Sequence, residues 1–397
     1  MLDVWPAFLP IVIQDVNGEA SDEDEESFIK EERADNIIAA LEHNSRVRQF
    51  SSWGNLIPRF AAAMRRPFPE LTELHLWLDD VRAQTLPDSF LGGSAPRLRV
   101  LRLDNIRVPG LQRILSSASD LVCLYLTDFP NSGFFPPEAM VACLSTMSRL
   151  EELELEFQAY QSRPDRTPAS RSPLPLKRTV LPALTSLSFK GTSEYSEDFV
   201  ARIDAPLLVL IRVVFYHHLF FRTLQLLLFI GRIEKFKLLC QADVIFFPGA
   251  ANFEAHPRTR TDHDVSLVLG VSCHYDSDTQ LSSLAQICTL SLPLFSNIER
   301  LEISQVPPWG PFDEHQLGGL RWLELLHPFL AVKDLYLSEE IALLAVPFLH
   351  TEVLPALQNL FVGGLQSSGA IKEATGEFVA AKQASGHVVS VHRWERE

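Results

Sequence analysis

The chain has 397 residues, 46% of them hydrophobic, and a formal net charge of −15. So much apolar material excludes a largely disordered chain, and a length beyond the ~250–300 residues of one compact core calls for repetition or division. The negative charge argues against DNA or RNA as a partner, since nucleic-acid affinity rests on lysines and arginines that neutralise phosphates. In chain order, the start Met1-Leu-Asp-Val-Trp-Pro6 lacks the basic lead and apolar core of a signal peptide. Phe8, Ile11 and Ile13 make a weak strand candidate. Residues 19–27 hold an acidic run without apolar anchors, expected to be a solvated loop because like charges repel. Val47 and Phe50 make a second weak candidate.

One spacing then dominates. Leu71-x-x-Leu74-x-Leu76 is followed by Leu98/Leu101/Leu103, Leu121/Leu124/Leu126, Leu150/Leu153/Leu155 and Leu184/Leu187/Phe189. Looser copies follow at Leu208/Ile211/Val213, Ile233/Phe236/Leu238, Ile298/Leu301/Ile303, Val332/Leu335/Leu337 and Leu357/Leu360/Val362, with Val265/Val268 weaker still. A Pro-x-Leu lead-in recurs at Pro69, Pro96, Pro182, Pro206 and Pro355. Steps of about 23 to 34 residues overlap and exceed the period of leucine-rich repeats. Residues 158–179, rich in Pro, Arg and Ser, read as a long insertion between two repeats. The most apolar stretch, Ala205 to Phe221, contains Arg212, His217 and His218 and is too short for a membrane span.

The fourth and sixth motif positions share one face of a short strand, because side chains alternate across it. Helical returns are expected at Pro137–Leu144, with proline in the first turn, and over Ser367–Ser385, where Gly386 ends an apolar pattern of helical period. No single repeat buries its own apolar face, so stability comes from stacking. The expected fold over 1–397 is therefore α/β, a leucine-rich-repeat-like solenoid with a curved parallel sheet and helices and loops on the outer side. The asparagine that usually bonds the bend after each strand is missing: Asp79, Ile106, Phe129, Gln158 and Thr192 fill that slot.

The runs Pro69-Glu-Leu-Thr-Glu-Leu-His-Leu76, Ser94-Ala-Pro-Arg-Leu-Arg-Val-Leu-Arg-Leu103 and Arg202-Ile-Asp-Ala-Pro-Leu-Leu208 resemble basidiomycete fungal F-box proteins with degenerate leucine-rich repeats. Trp322-Leu-Glu-Leu-Leu-His-Pro-Phe329, Val332-Lys-Asp-Leu-Tyr-Leu-Ser338 and the ending Val391-His-Arg-Trp-Glu-Arg396 are similar to the same group. The resemblance implies repeats that select a protein substrate for a cullin ubiquitin ligase, with an N-terminal F-box docking on a Skp-type adaptor. The opening Trp5-Pro-Ala-Phe-Leu-Pro-Ile-Val-Ile13 already looks like a repeat strand and not an F-box. Adaptor binding is thus expected only if an F-box is missing from the gene model. The alternative is a free-standing repeat scaffold with no ubiquitin role.

No phosphate-binding loop, nucleophile elbow or zincin motif occurs, so the expectation is a binding protein that is not an enzyme and takes no cofactor and no metal. His256, Asp262, His263, Asp264, Cys273, His274, Asp276 and Asp278 carry metal-capable groups but lack zinc-site spacing. The five cysteines form no C-x-x-C pair and suit free thiols in a reducing compartment, cytoplasmic or nuclear. Functional candidates are the motif positions that face away from the core. Among them Trp77, Tyr125, Glu154 and Tyr336 are the expected partner-binding residues, because aromatic anchors dominate protein interfaces. Lys235 and Lys237 are expected on the same face.

Overall fold

A computed structural model describes residues 9–15, 23–78, 84–130, 135–158, 177–216, 223–258, 265–272, 277–290, 295–306, 319–349, 353–365 and 368–394. The fold is α/β: fifteen strands of one long, largely parallel sheet alternate with helices, as in a leucine-rich-repeat-like solenoid. Contacts group the chain into two compact units, residues 1–191 with 198–207, and residues 192–197 with 208–397.

In the first unit the strands are β1 (Ile11–Asp15), β2 (Val47–Trp53), β3 (Glu73–Trp77), β4 (Val100–Asp104), β5 (Cys123–Phe129), β6 (Glu152–Phe157) and β7 (Ser186–Gly191). They pair in parallel and in chain order. The pairing places equivalent motif positions side by side: Leu74, Leu101, Leu124, Leu153 and Leu187 form one row, and Leu76, Leu103, Leu126, Leu155 and Phe189 the next. Both rows are buried, as are the leading leucines Leu71, Leu98, Leu121, Leu150 and Leu184. At ~1.5–3 kcal/mol for each large side chain removed from water, these rows are the unit's main source of stability.

Helices α1 (Glu23–Leu41), α2 (Ile57–Ala63), α3 (Leu111–Ser117) and α4 (Pro137–Leu144) return the chain between strands. Pro58 and Pro137 sit in first turns, where no amide bond is lost. In β2 the sixth motif position is Ser52, and its hydroxyl donates to Asp15 at 3.0 Å. The Asp15 carboxylate is fully buried and pairs with Arg33 of α1 at 2.8 Å. A polar triad thus takes the place of a leucine contact. The rings of Phe129, Phe157 and Phe189 follow one another at 6.4 and 6.1 Å, and Gln158, in the slot of the missing asparagine, donates through Nε2 to Asn105 Oδ1 at 2.8 Å.

In the second unit the strands are β8 (Leu210–Tyr216), β9 (Gln241–Phe247), β10 (Ala250–His256), β11 (Ser266–Ser272), β12 (Arg300–Gln305), β13 (Asp334–Leu337), β14 (Asn359–Val362) and β15 (Ser390–Arg393). Their spatial order is β8-β11-β10-β9-β12-β13-β14-β15. Among the described residues, β10 runs antiparallel to both of its neighbours, β9 and β11. It folds back from β9 through Pro248 and Gly249, the glycine at φ +80° where a side chain would strain the turn. Phe253 of β10 packs on Phe295 and Phe329, centroids 4.2 and 5.8 Å away. The closing helix α5 (Gly369–Ala384) has Ser368 as its cap, accepting from the Ile371 amide, and ends before Gly386 at φ +84°.

Three expectations need correction. The copy Ile233/Phe236/Leu238 is not a strand: Glu234–Leu238 is a 3-10 turn, so Lys235 and Lys237 lie off the sheet. Ile233 and Phe236 are buried, but Leu238 is 67% exposed, since a turn of three residues superposes only the first two. The acidic loop over 19–27 is helical from Glu23 onward, where the following Ala34, Ala40 and Leu41 carry the helix onto the core; residues 19–22 lie outside the described residues. Ten full copies of the motif suggested about ten strands, but among the described residues the long sheet alone has fifteen. The 158–179 insertion falls outside the described residues except for its ends, as do His217 and His218.

Candidate functional site

Between the buried positions of most strands lie side chains that point to the opposite face of the sheet and stay partly exposed. In the first unit the register sorts them into rows. Trp53, Trp77, Asp104 and Thr127 form one; Ser51, His75, Arg102, Tyr125, Glu154 and Ser188 form the next. A third holds Gln49, Glu73, Val100, Cys123, Glu152 and Ser186.

Trp53 and Trp77 stack at 5.4 Å with an interplanar angle of 21°. They are 42% and 43% exposed, so two large rings remain in water where a soluble surface usually avoids them. Arg102 lies over the Tyr125 ring at 4.4 Å, and the Tyr125 hydroxyl donates to Glu152 at 2.5 Å. Thr127 donates to Asp104 at 2.5 Å, and Lys190 pairs with Glu156. Burial, followed by the bond to Glu152, pushes the Tyr125 phenol above its ordinary range and keeps it a donor. Burial also raises the Cys123 thiol, which makes it a poor nucleophile. His75 is held below its ordinary value by burial and then by the Arg102 charge, and its Nε2 has no hydrogen-bond partner.

The second unit presents a similar face. Tyr336 and Phe361 stack at 4.2 Å and 3°, and His392 continues the stack at 4.9 Å. Arg300 covers Tyr336 at 4.1 Å, while Trp394 meets it edge-on at 5.7 Å. Asp243 and Glu254 lie in register on β9 and β10, and Asp243 and Glu302 on β9 and β12. His256 bonds Asp243 through Nε2 at 3.3 Å.

The structure therefore brings Trp77, Tyr125 and Glu154 onto one face of the first unit and places Tyr336 on the corresponding face of the second. The sequence reading missed Trp53, whose signal was its seat at the seventh position of a weak copy, the seat Trp77 holds in a strong one. It also missed the stacking of His392 on Phe361 and the edge-on contact of Trp394 with Tyr336, residues that follow the last regular motif. Of the metal-capable cluster only His256 is described with its side chain. Among the described residues no group of three or more His, Cys, Asp or Glu could hold a metal ion, and no helix is long and apolar enough to cross a membrane. Compared with protein-family models and with curated proteins, the chain matches none.

Proposed function

We propose that the chain is a protein–protein interaction module that engages its partner through the open strand faces, acting as the substrate-recognition repeats of F-box ubiquitin-ligase subunits do. The observation that carries this reading is the exposed Trp53–Trp77 stack, set among half-exposed polar side chains held by neighbouring strands. Rigid aromatic rings offer contact area at little entropic cost, and a few such residues supply most of an interface's affinity. The ubiquitin part of the reading rests on the sequence resemblance alone.

The test is quantitative affinity purification of the full chain from fungal cells, beside Trp77→Ala, Tyr336→Ala and a Glu373→Ala/Glu377→Ala variant altered on α5. Specific partners are expected to be lost from the two face variants and kept by the helix variant. Loss from the helix variant alone would move the interface elsewhere. Partners that persist unchanged in amount when the cullin ligase is inhibited would remove the ubiquitin role and leave the binding role.

A further inference from the structure

We propose that the trough along the starts of strands β1 to β5 binds the free C-terminal carboxylate of a partner protein, with Arg48 and Arg99 on the carboxylate and the valines beside them on an aliphatic last side chain. The inference rests on the protein-binding reading above and names the part of the partner that is held.

The repeat motif itself makes the trough. Its second position is Arg48 in β2, Thr72 just before β3 and Arg99 just before β4. The Thr72 amide donates to the Arg48 carbonyl and the Arg99 amide to the Thr72 carbonyl, both at 2.8 Å, so the three residues stand side by side. Two strand intervals set the arginine backbones about 9.6 Å apart. The short threonine between two long side chains leaves a cavity of about 610 Å³, within the usual range for a small ligand. Gln49, Glu73 and Val100 line it from the third motif position, Val12 borders it on the β1 side and Val122 on the β5 side.

The charges select the ligand. Among the described residues the side chains of Arg48, Arg99 and Gln49 have no hydrogen bond or ion pair, and Glu73 has none either, its charge acting on His75. The neighbouring Arg46 and Arg97 are engaged, Arg46 donating to the Leu9 carbonyl at 3.1 Å and Arg97 pairing with Glu70. Two guanidinium groups against one carboxylate leave one positive charge in excess, which a single incoming carboxylate neutralises. A phosphate dianion would sit beside Glu73 with its second charge unmatched. Glu151 and Glu152 follow two strands beyond Arg99 and repel an anion from that end, so the carboxylate is directed to the arginines. The planar guanidinium fork matches a carboxylate through two parallel bonds.

A chain end presents together the groups that this trough can meet. Its carboxylate, amide N–H and side chain all leave from one Cα. The carboxylate takes the arginines, Glu73 accepts the N–H, Gln49 donates to the preceding carbonyl, and Val12, Val100 and Val122 cover an aliphatic side chain. An internal aspartate or glutamate lacks this arrangement, because its carboxylate stands away from the backbone and its chain continues in both directions.

The test is isothermal titration calorimetry of the full chain with the N-acetylated peptide Gly-Ser-Gly-Ser-Gly-Val, its C-terminus free, injected to millimolar concentration. Arg48→Gln/Arg99→Gln is expected to weaken binding about threefold or more, the loss for two partly exposed ion pairs. Arg65→Gln/Arg66→Gln, the same charge change on exposed residues outside the trough, should stay within about twofold, which separates a site from net charge. Replacing the last valine of the peptide by serine should weaken it about twofold or more. Circular dichroism verifies that each variant is folded. Equal losses in the two arginine variants, or equal binding of the amidated peptide, would overturn the proposal. Tighter binding of an amidated peptide carrying an internal aspartate or phosphoserine would also overturn it. If the free-carboxylate peptide does not bind while Trp77→Ala still loses its cellular partners, the chain-end inference falls and the protein-binding reading stands.

Discussion

Truncating Leu153 to alanine tests the architecture where it is most regular. Leu153 is 1% exposed and is the fourth in a row of five leucines, with Leu124 on one side and Leu187 on the other. Leucine-to-alanine changes in cores cost ~2–5 kcal/mol, and the value depends on how far the walls collapse into the space left. Here the walls cannot close easily. The flanking leucines are fixed by strands hydrogen-bonded on both sides of β6, and Leu155 and Leu150 from the same repeat are equally buried. The expected cost is therefore in the upper part of that range, ~3–5 kcal/mol. Urea unfolding followed by circular dichroism measures it. Hydrogen exchange locates it: amides of β5, β6 and β7 should lose protection before those of β13 and β14, because repeat stability is built from nearest neighbours. A cost under about 1 kcal/mol, typical of a surface change, would mean that the leucine row is not the core.

Further outcomes follow from other parts of the chain. Trp77→Ala should leave the unfolding midpoint nearly unchanged, within about 0.5 kcal/mol, while weakening partner binding, as expected of an exposed interface aromatic; a large stability loss would make the stack structural. His75 has a folded pKa below its ordinary 6.5, so the unfolded chain takes up the proton first and stability declines as pH falls through 6.5, levelling off below the folded value. Denaturant melts between about pH 7.5 and about pH 5 should show a shallower slope for His75→Gln, and an unchanged slope would discount the histidine. Lys382, 1% exposed, donates through Nζ to the carbonyls of Val353 at 3.1 Å and Leu354 at 3.4 Å. Lys382→Met should cost ~1–3 kcal/mol by taking the Nζ donor from the Val353 carbonyl, while the Leu354 carbonyl still accepts from the Leu357 amide, and calorimetry showing a gain in stability would contradict that. Gly363→Ala would set a Cβ 2.7 Å from the Glu339 amide nitrogen and should cost ~1–3 kcal/mol; a neutral result would show that the backbone there yields.

What the sequence made legible follows from what each pattern encodes. The motif marks a strand by three buried apolar positions, so it was reliable where all three are leucine or phenylalanine, as in β3 to β7. It was faint in β2, where Ser52 turns the sixth position polar to meet Asp15, a partner far along the chain that no local spacing announces. It misled at Ile233/Phe236/Leu238, because the first two of those positions suit a 3-10 turn as well as a strand. The β9–β10 hairpin carried no copy of the motif, but it carried a different signal: the Pro248-Gly249 pair, which favours a turn, between two strand-length runs. That hairpin also displaces its neighbours, so β8 pairs with β11 and β9 with β12. Repeat order alone could not yield those pairings. The same division holds for the surface. Period-two alternation was enough to put Trp77, Tyr125, Glu154 and Tyr336 on outward positions, since it depends on one strand at a time. Stacking of Trp53 on Trp77, or of Tyr336 on Phe361, depends on the register between two strands, and register is set by turns and loops whose lengths vary from repeat to repeat. The chemistry of the face is thus a property of neighbouring repeats together, which is why single residues ranked by type pointed to outward positions without revealing the aromatic pairs formed there.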